Sequence, residues 1–401
     1  MKRLEIAMDA VMRWLPDIVA GRRSLSEVAD LVAREDAAAR EAVRDLVGRA
    51  DDTSEPAILT RAAVEDVTLR SEATIFWLLE SFDVRFERQN ARITRAIAEA
   101  AVTLVGLVPA ATPDLACRAW KELANALRIS GECRAAFLAL ERADAIAERT
   151  LTPEFHRLLV AYARAAILYE MRRNDEALLL LDHCAREFDA MNDPERARDA
   201  REFMGSVWHA EGEYGFAITA WTDALRIAEG VHDEERVAIL HGNIGHAYAR
   251  LREDDLARDS LARALVGYRR LNMPVQKARM LQTLGRLELR RTGRDDMLLE
   301  AAAEFARLGM PGDEIETRAA RIVEWAALND EKAVLLVLAE CRDLMQEAMR
   351  RDMDGVVAPL ANLVRAVERG PLTGDMADSF CQSIMASSFS SNDLPASGRL
   401  N

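Results

Sequence analysis

Three glycines set 40 residues apart constrain what this chain can fold into. Gly205, Gly245 and Gly285 share the step; one step back from Gly205 stands Ala165, and 41 residues before that stands Ala124. Twelve residues after each anchor come Ala136, Ala177, Ala217, Ala257 and Met297. Sixteen after the first four come Leu140, Leu181, Trp221 and Leu261, and nineteen after all five come Ala143, Cys184, Ala224, Ala264 and Glu304. A small residue facing a large one at fixed separation lets two helices approach closely, so each 40-residue block reads as a helix–turn–helix unit. Ser130-Gly131-Glu132, Arg173-Asn174-Asp175, Glu211-Gly212-Glu213 and Arg252-Glu253-Asp254 supply turn residues between the helices. Pro153, Pro194 and Pro274 follow three anchors by 29 residues, where a proline closes the second helix or opens the next one. In the fifth block Met297 and Glu304 break the alanine pattern, and a one-residue shift onto Leu298, Ala302 and Phe305 restores it.

Composition agrees. Of 401 residues, half are hydrophobic and only 5% aromatic, with 11 Pro and 19 Gly, which excludes disorder and turn-rich all-β folds. The 67 Asp and Glu outweigh 53 Lys and Arg, for a net charge of -14, which argues against a broad nucleic-acid surface. Cys117, Cys133, Cys184, Cys341 and Cys381 include no Cys-x-x-Cys pair, so neither a zinc site nor a disulfide framework is expected, and the set fits a reducing cytoplasm. The longest apolar stretch, 100–111, is too short for a bilayer and is cut by Gly106 and Pro109, so no membrane association is expected.

The blocks resemble the tetratricopeptide repeat family. One unit carries the likeness on Trp120, Leu123, Ala124, Leu127, Ala136 and Ala143, and another on Ile244, Gly245, Tyr248, Ala257, Ala264 and Pro274. A 40-residue unit is similar to the long-repeat variety found in kinesin light chains and in bacterial peptide-sensing regulators. The resemblance implies an all-α fold: a right-handed α-solenoid of helical hairpins with helical caps at both ends. Residues 1–50 are expected to be an N-terminal helical segment and 57–110 a helical pair or atypical leading repeat. The array occupies 115–351, its sixth unit marked by Trp325, Asp330-Glu331-Lys332-Ala333 and Cys341; 352–386 cap it, and 387–401 read as a disordered tail rich in Ser, Asn and Gly.

In the N-terminal segment Ser24-Leu25-Ser26-Glu27 has the form of a capping box, and a second helix is expected over 37–47. Helix, turn and helix in this order invite a DNA-binding reading. Against it, Arg40 and Arg44 are matched by Glu41 and Asp45. Phe76, Trp77, Phe82 and Phe86, in what reads as two long helices over 57–108, form an aromatic stripe expected to be core.

Catalytic patterns are missing. Among six histidines the nearest pair, His241 and His246, stands five apart, a poor spacing for a shared metal on a helix, and there is no phosphate-cradling glycine loop or nucleophile elbow. No enzyme activity, cofactor or metal is expected. By resemblance, first helices line a concave face, and its exposed positions are Arg118, Lys121, Asn125 and Arg128; Tyr162 and Tyr169; Glu202 and His209; His246 and Arg250; and Arg279, Gln282, Arg286 and Arg290. A face of this kind suits a protein or peptide partner with an acidic segment, gripped by arginine forks. The function implied is a non-catalytic scaffold or adaptor of a bacterial regulatory or assembly system. The alternative is a transcriptional regulator with a helix–turn–helix-like N-terminus and a peptide-sensing array. Solenoid ends also pair readily, so a homodimer is a further expectation.

Overall fold

The computed structural model describes residues 24–53, 55–87, 91–328, 331–351 and 354–370, with isolated positions at 19–20, 22 and between 376 and 383. The expected tail over 387–401 and the first eighteen residues lie outside the described residues. Among the described residues the protein is all-α. The helices are α1 (Leu25–Thr53), α2 (Ala57–Glu65), α3 (Glu72–Glu87), α4 (Ala91–Leu107), α5 (Pro113–Ile129), α6 (Cys133–Ala147), α7 (Pro153–Glu170), α8 (Asn174–Ala190), α9 (Pro194–Ala210), α10 (Tyr214–Gly230), α11 (Glu234–Arg250), α12 (Asp254–Arg270), α13 (Pro274–Thr292), α14 (Asp296–Arg307), α15 (Pro311–Ala327), α16 (Glu331–Arg350) and α17 (Asp354–Arg369). The chain divides into two compact units, the first running to Glu187 and the second beginning at Phe188.

In the first unit α1 to α5 enclose one apolar core around Leu59, Ile75, Leu79, Phe82, Ile97 and Leu104, and α5 to α7 enclose a second around Ala124, Leu140 and Ile167. The capping box forms: Ser24 N–H donates to Glu27 Oε2 at 2.7 Å, and Glu27 N–H donates to Ser24 Oγ at 3.2 Å. The turn expected before residue 37 does not. Helix α1 continues unbroken to Thr53, because 35–47 offers no Gly or Pro and three successive alanines at 37–39 favour helix. Its Arg40, the basic residue on which a DNA-reading helix would depend, lies 4.7 Å from the Trp77 ring centroid, and Trp77 Nε1 donates to Asp36 Oδ1 at 2.8 Å. Residues 57–108, expected as two helices, form three and a 3-10 turn at Val67–Leu69, because Asp66 Oδ1 caps that turn by accepting from Thr68 N–H at 2.9 Å. Phe76 and Phe82 are buried and Trp77 is half-buried.

The second unit stacks helices α9 to α17 in sequence, each against the next. The small anchors are contact points between the two helices of a hairpin. A Cβ at Gly205 would overlap the Trp221 indole, one at Gly245 would stand 2.6 Å from Leu261 Cγ, and one at Gly285 would stand 2.8 Å from Leu298 Cγ. The fifth hairpin takes the shifted register: Leu298, Ala302 and Phe305 are buried while Met297 and Glu304 are half-buried. Pro153, Pro194 and Pro274, with Pro113 and Pro311, all open first helices, which decides between the two places open to them.

The turns share one geometry. Left-handed backbone occurs at Arg172, Asn192, Gly212, His232, Arg252 and Asn272, one every 20 residues. The next N–H in each case reaches back five residues: Asp193 to Phe188 O at 2.9 Å, Glu213 to Trp208 O at 2.9 Å, Asp233 to Ala228 O at 2.9 Å and Glu253 to Tyr248 O at 3.0 Å. This is the Schellman closure, and glycine suits its left-handed residue best. His232, exposed and at φ 59°, carries the cost of its Cβ there. His232→Gly is expected to stabilise the protein by about 0.5–1 kcal/mol and His232→Val to destabilise it by a similar amount. Urea midpoints check both, and an unchanged midpoint for His232→Gly counts against the strain.

Candidate functional site

In the first unit the expected face is already occupied by the protein itself. Arg118 on α5 donates to Glu80 Oε1 and Asp83 Oδ2 on α3, both at 3.0 Å. Lys121 Nζ lies 2.9 Å from Glu122 Oε1, and Asn125 Nδ2 donates to Glu122 Oε2 at 2.9 Å. Arg128 donates to Glu170 Oε1 on α7 at 2.9 Å. Lys121, Asn125 and Arg128 are 6%, 2% and 9% exposed, and Tyr162 and Tyr169 are buried beside them. Such a set joins α3, α5 and α7; it leaves little for a partner to touch.

The second unit repeats the ladder but keeps more of its face accessible. On α9, Glu202 accepts from Arg236 of α11 at 3.4 Å, and burial raises its carboxyl pKa. Arg198 spans Asp199 and Asp233 at 2.8 and 2.7 Å. On α13, Gln282 donates to Thr317 Oγ1 of α15 at 3.0 Å, and Arg279 lies 3.9 Å from Asp313. Arg286 Nε donates to Glu324 Oε1 at 2.9 Å, while Arg290 grips both Glu324 oxygens at 2.5 and 2.7 Å. The Glu324 side chain is fully buried under the two guanidinium groups. Arg286 and Arg290, read from sequence as forks for a partner carboxylate, thus hold a carboxylate of this chain.

Arg250 differs from these. It is exposed at the end of α11, its Nε donates to the Tyr214 hydroxyl at 2.9 Å, and its guanidinium lies 5.4 Å from the Tyr214 ring centroid. Tyr214 meets the half-buried His209 edge-on at 5.2 Å between centroids, and His209 lies 5.7 Å from Trp221. Burial, then the neighbouring His209, Arg286 and Arg279, push the half-buried His246 imidazole down to about 4. Histidine in the unfolded chain titrates near 6.5, so as pH falls the unfolded state takes up its proton first, and stability is lost between about pH 6.5 and 4. At pH 5 this residue is expected to remove about 2 kcal/mol relative to pH 7. Asp199 and Glu202, raised by burial, act in the opposite sense, so His246→Asn compared with the parent at both pH values isolates the histidine. An equal loss in both proteins would refute the assignment.

Sequence reading missed Glu324, Glu122, Arg236 and Tyr214. Their signal was a complementary residue 34–42 positions away, as in Arg128–Glu170, Glu202–Arg236 and Arg290–Glu324. Three of the cysteines, Cys117, Cys184 and Cys341, are buried with their thiols pushed up to about 12, which keeps them protonated. Among the described residues no three His, Cys, Asp or Glu side chains gather as a metal-binding group, and no helix is long and apolar enough to cross a membrane.

No family model and no curated protein matches the chain. Solved structures do. The apo form of RapI is 14% identical, with a TM-score of 0.58 over 88% of this chain and 97% of its own. A signal transduction ATPase with a tetratricopeptide repeat sensor, from Pyrococcus horikoshii, is also 14% identical, with a TM-score of 0.59 over 88% of this chain. The chain spans about half, 54%, of that protein's length. The fold is that of the tetratricopeptide-like repeat proteins. The quorum sensor NprR from B. thuringiensis shares it at 9% identity and a TM-score of 0.50, over 82% of this chain and 98% of its own. Identities this low carry the architecture alone, so what this tetratricopeptide-like array recognises rests on its own side chains.

Proposed function

We propose that this protein is a non-catalytic scaffold that binds a peptide or protein segment on the first-helix face of its second unit, with His209, Tyr214, His246 and Arg250 at the centre. The observation that carries the reading is the environment of Arg250. Arg118, Arg128, Arg286 and Arg290 face carboxylates of the chain, whereas Arg250 is exposed and rests on a neutral hydroxyl and its ring. A guanidinium held in position by a ring, with its charge open to solvent, is prepared for a bidentate bond to a carboxylate, so the partner segment is acidic. Neutral His246 and the edge of Tyr214 add hydrogen-bonding capacity without competing charge. A regulatory role is supported by the sensors that share the fold, a quorum sensor and the tetratricopeptide repeat sensor of a signalling ATPase.

The test is fluorescence anisotropy with labelled peptides rich in Asp and Glu, each paired with its Asn and Gln counterpart. Acidic peptides should bind more tightly, binding should weaken with salt, and Arg250→Glu should reduce it at least about tenfold. Equal binding of the two peptide sets, or an unaffected Arg250→Glu variant, removes the proposal.

A further inference from the structure

The outer side of the first unit carries a second kind of surface. Between α6, α7 and α8 lies a cleft of about 470 Å³, walled by Phe137, Leu168 and Leu180 with Glu141, Arg164, Arg173 and Glu176 around them. Beside it the chain exposes what it elsewhere buries. Leu179 on α8 is 71% exposed and Leu138 on α6, next to Phe137, is 58% exposed. They occupy the same place in their helices, five residues after Cys133 and Asn174, the first residues of α6 and α8. Each second helix therefore offers a projecting leucine, and a hollow lies alongside.

We infer that this face pairs with the same face of a second copy of the chain. Three observations select that occupant. A two-fold interface must be complementary to itself, and this patch holds both the projection and the hollow that receives it. Its lining holds two arginines and two glutamates, so one copy's positive groups can lie against the other's negative groups. A chain of net charge -14 repels its own kind broadly, and a charge-balanced apolar patch is where that repulsion is weakest. One donor also awaits a partner there: Arg164 Nε is buried without a hydrogen-bond partner. In the pair, Leu179 of each copy enters the cleft of the other, and the buried apolar contact supplies the affinity that the balanced charges then orient.

The inference stands apart from the peptide-binding reading, which concerns the second unit, and its test uses the full chain without peptide. Size-exclusion chromatography with light scattering across the micromolar range should show a species of twice 44.6 kDa. Leu179→Asp, and separately Leu138→Asp, should raise the dimer dissociation constant at least about tenfold with circular dichroism unchanged, since both side chains face solvent in one copy. Phe216→Asp, on an exposed apolar residue of α10 in the other unit, should leave the dimer intact. A monomer at every concentration overturns the inference. So does a dimer that survives both leucine variants, or one that only Phe216→Asp dissociates.

Discussion

Gly245→Ala is expected to destabilise the protein by about 3 kcal/mol, although alanine is the better helix former by about 1 kcal/mol. The added methyl would meet Leu261 Cγ at 2.6 Å, Cδ2 at 2.8 Å and the Leu261 backbone nitrogen at 3.0 Å. A flexible side-chain end gives way cheaply; a backbone atom does not, so α11 and α12 must separate and the fully buried Ala257, Leu261 and Ala264 lose contacts. Gly242, one turn earlier on the same helix, is the control. A Cβ there meets Met280 Sδ at 3.4 Å and the Tyr268 hydroxyl at 3.5 Å, ordinary contacts, so Gly242→Ala is expected to be neutral or stabilising by up to about 1 kcal/mol. Chemical denaturation of the two variants separates close approach from helix propensity. Equal effects would show that the anchor glycines do not set the helix spacing.

Glu324→Ala is the second large effect, a loss of about 3–5 kcal/mol. The carboxylate is buried between Arg286 and Arg290, and removing it leaves two guanidinium groups close together without the charge that neutralised them. The desolvation already imposed on those arginines then goes uncompensated. Replacing all three residues together, as Glu324→Leu with Arg286→Met and Arg290→Met, should recover most of the loss, because an apolar set of similar volume needs no counter-charge. Thermal denaturation of the single and triple variants decides the matter. A triple variant no better than Glu324→Ala would mean that the ion cluster contributes more than its own neutralisation.

The hairpins were legible because one residue type at one spacing reports one physical need. A glycine or alanine every 40 or 41 residues is the trace of a helix pressed against its partner, and Gly245 against Leu261 is that contact. The shifted fifth hairpin was legible for the same reason, through the burial demand of Leu298, Ala302 and Phe305. The unbroken α1 was harder to see. A capping box marks a start, but only a Gly or Pro marks a stop, and 35–47 has neither. Exposed positions of the first helices were the least legible. Whether Arg128 faces solvent or Glu170 depends on a residue 42 positions away, and a helical register assigns a side chain to a face without naming what lies opposite. The same reading placed Arg250 correctly on α11 but could not reveal that Tyr214 carries it.

The left-handed residues at 172, 192, 212, 232, 252 and 272 make the joints within hairpins and between hairpins alike. Each joint makes the same backward hydrogen bond, so the backbone does not distinguish an internal corner from an external one. Length can therefore be edited in whole multiples. Excising 213–252 would fuse the corner at Gly212 to the α12–α13 side of the stack with every remaining corner still in register. Excising a segment of any other length would place a left-handed corner where a straight helix is required. The chain behaves like a carpenter's folding rule: shortened by segments it still folds flat, and cut mid-segment it does not.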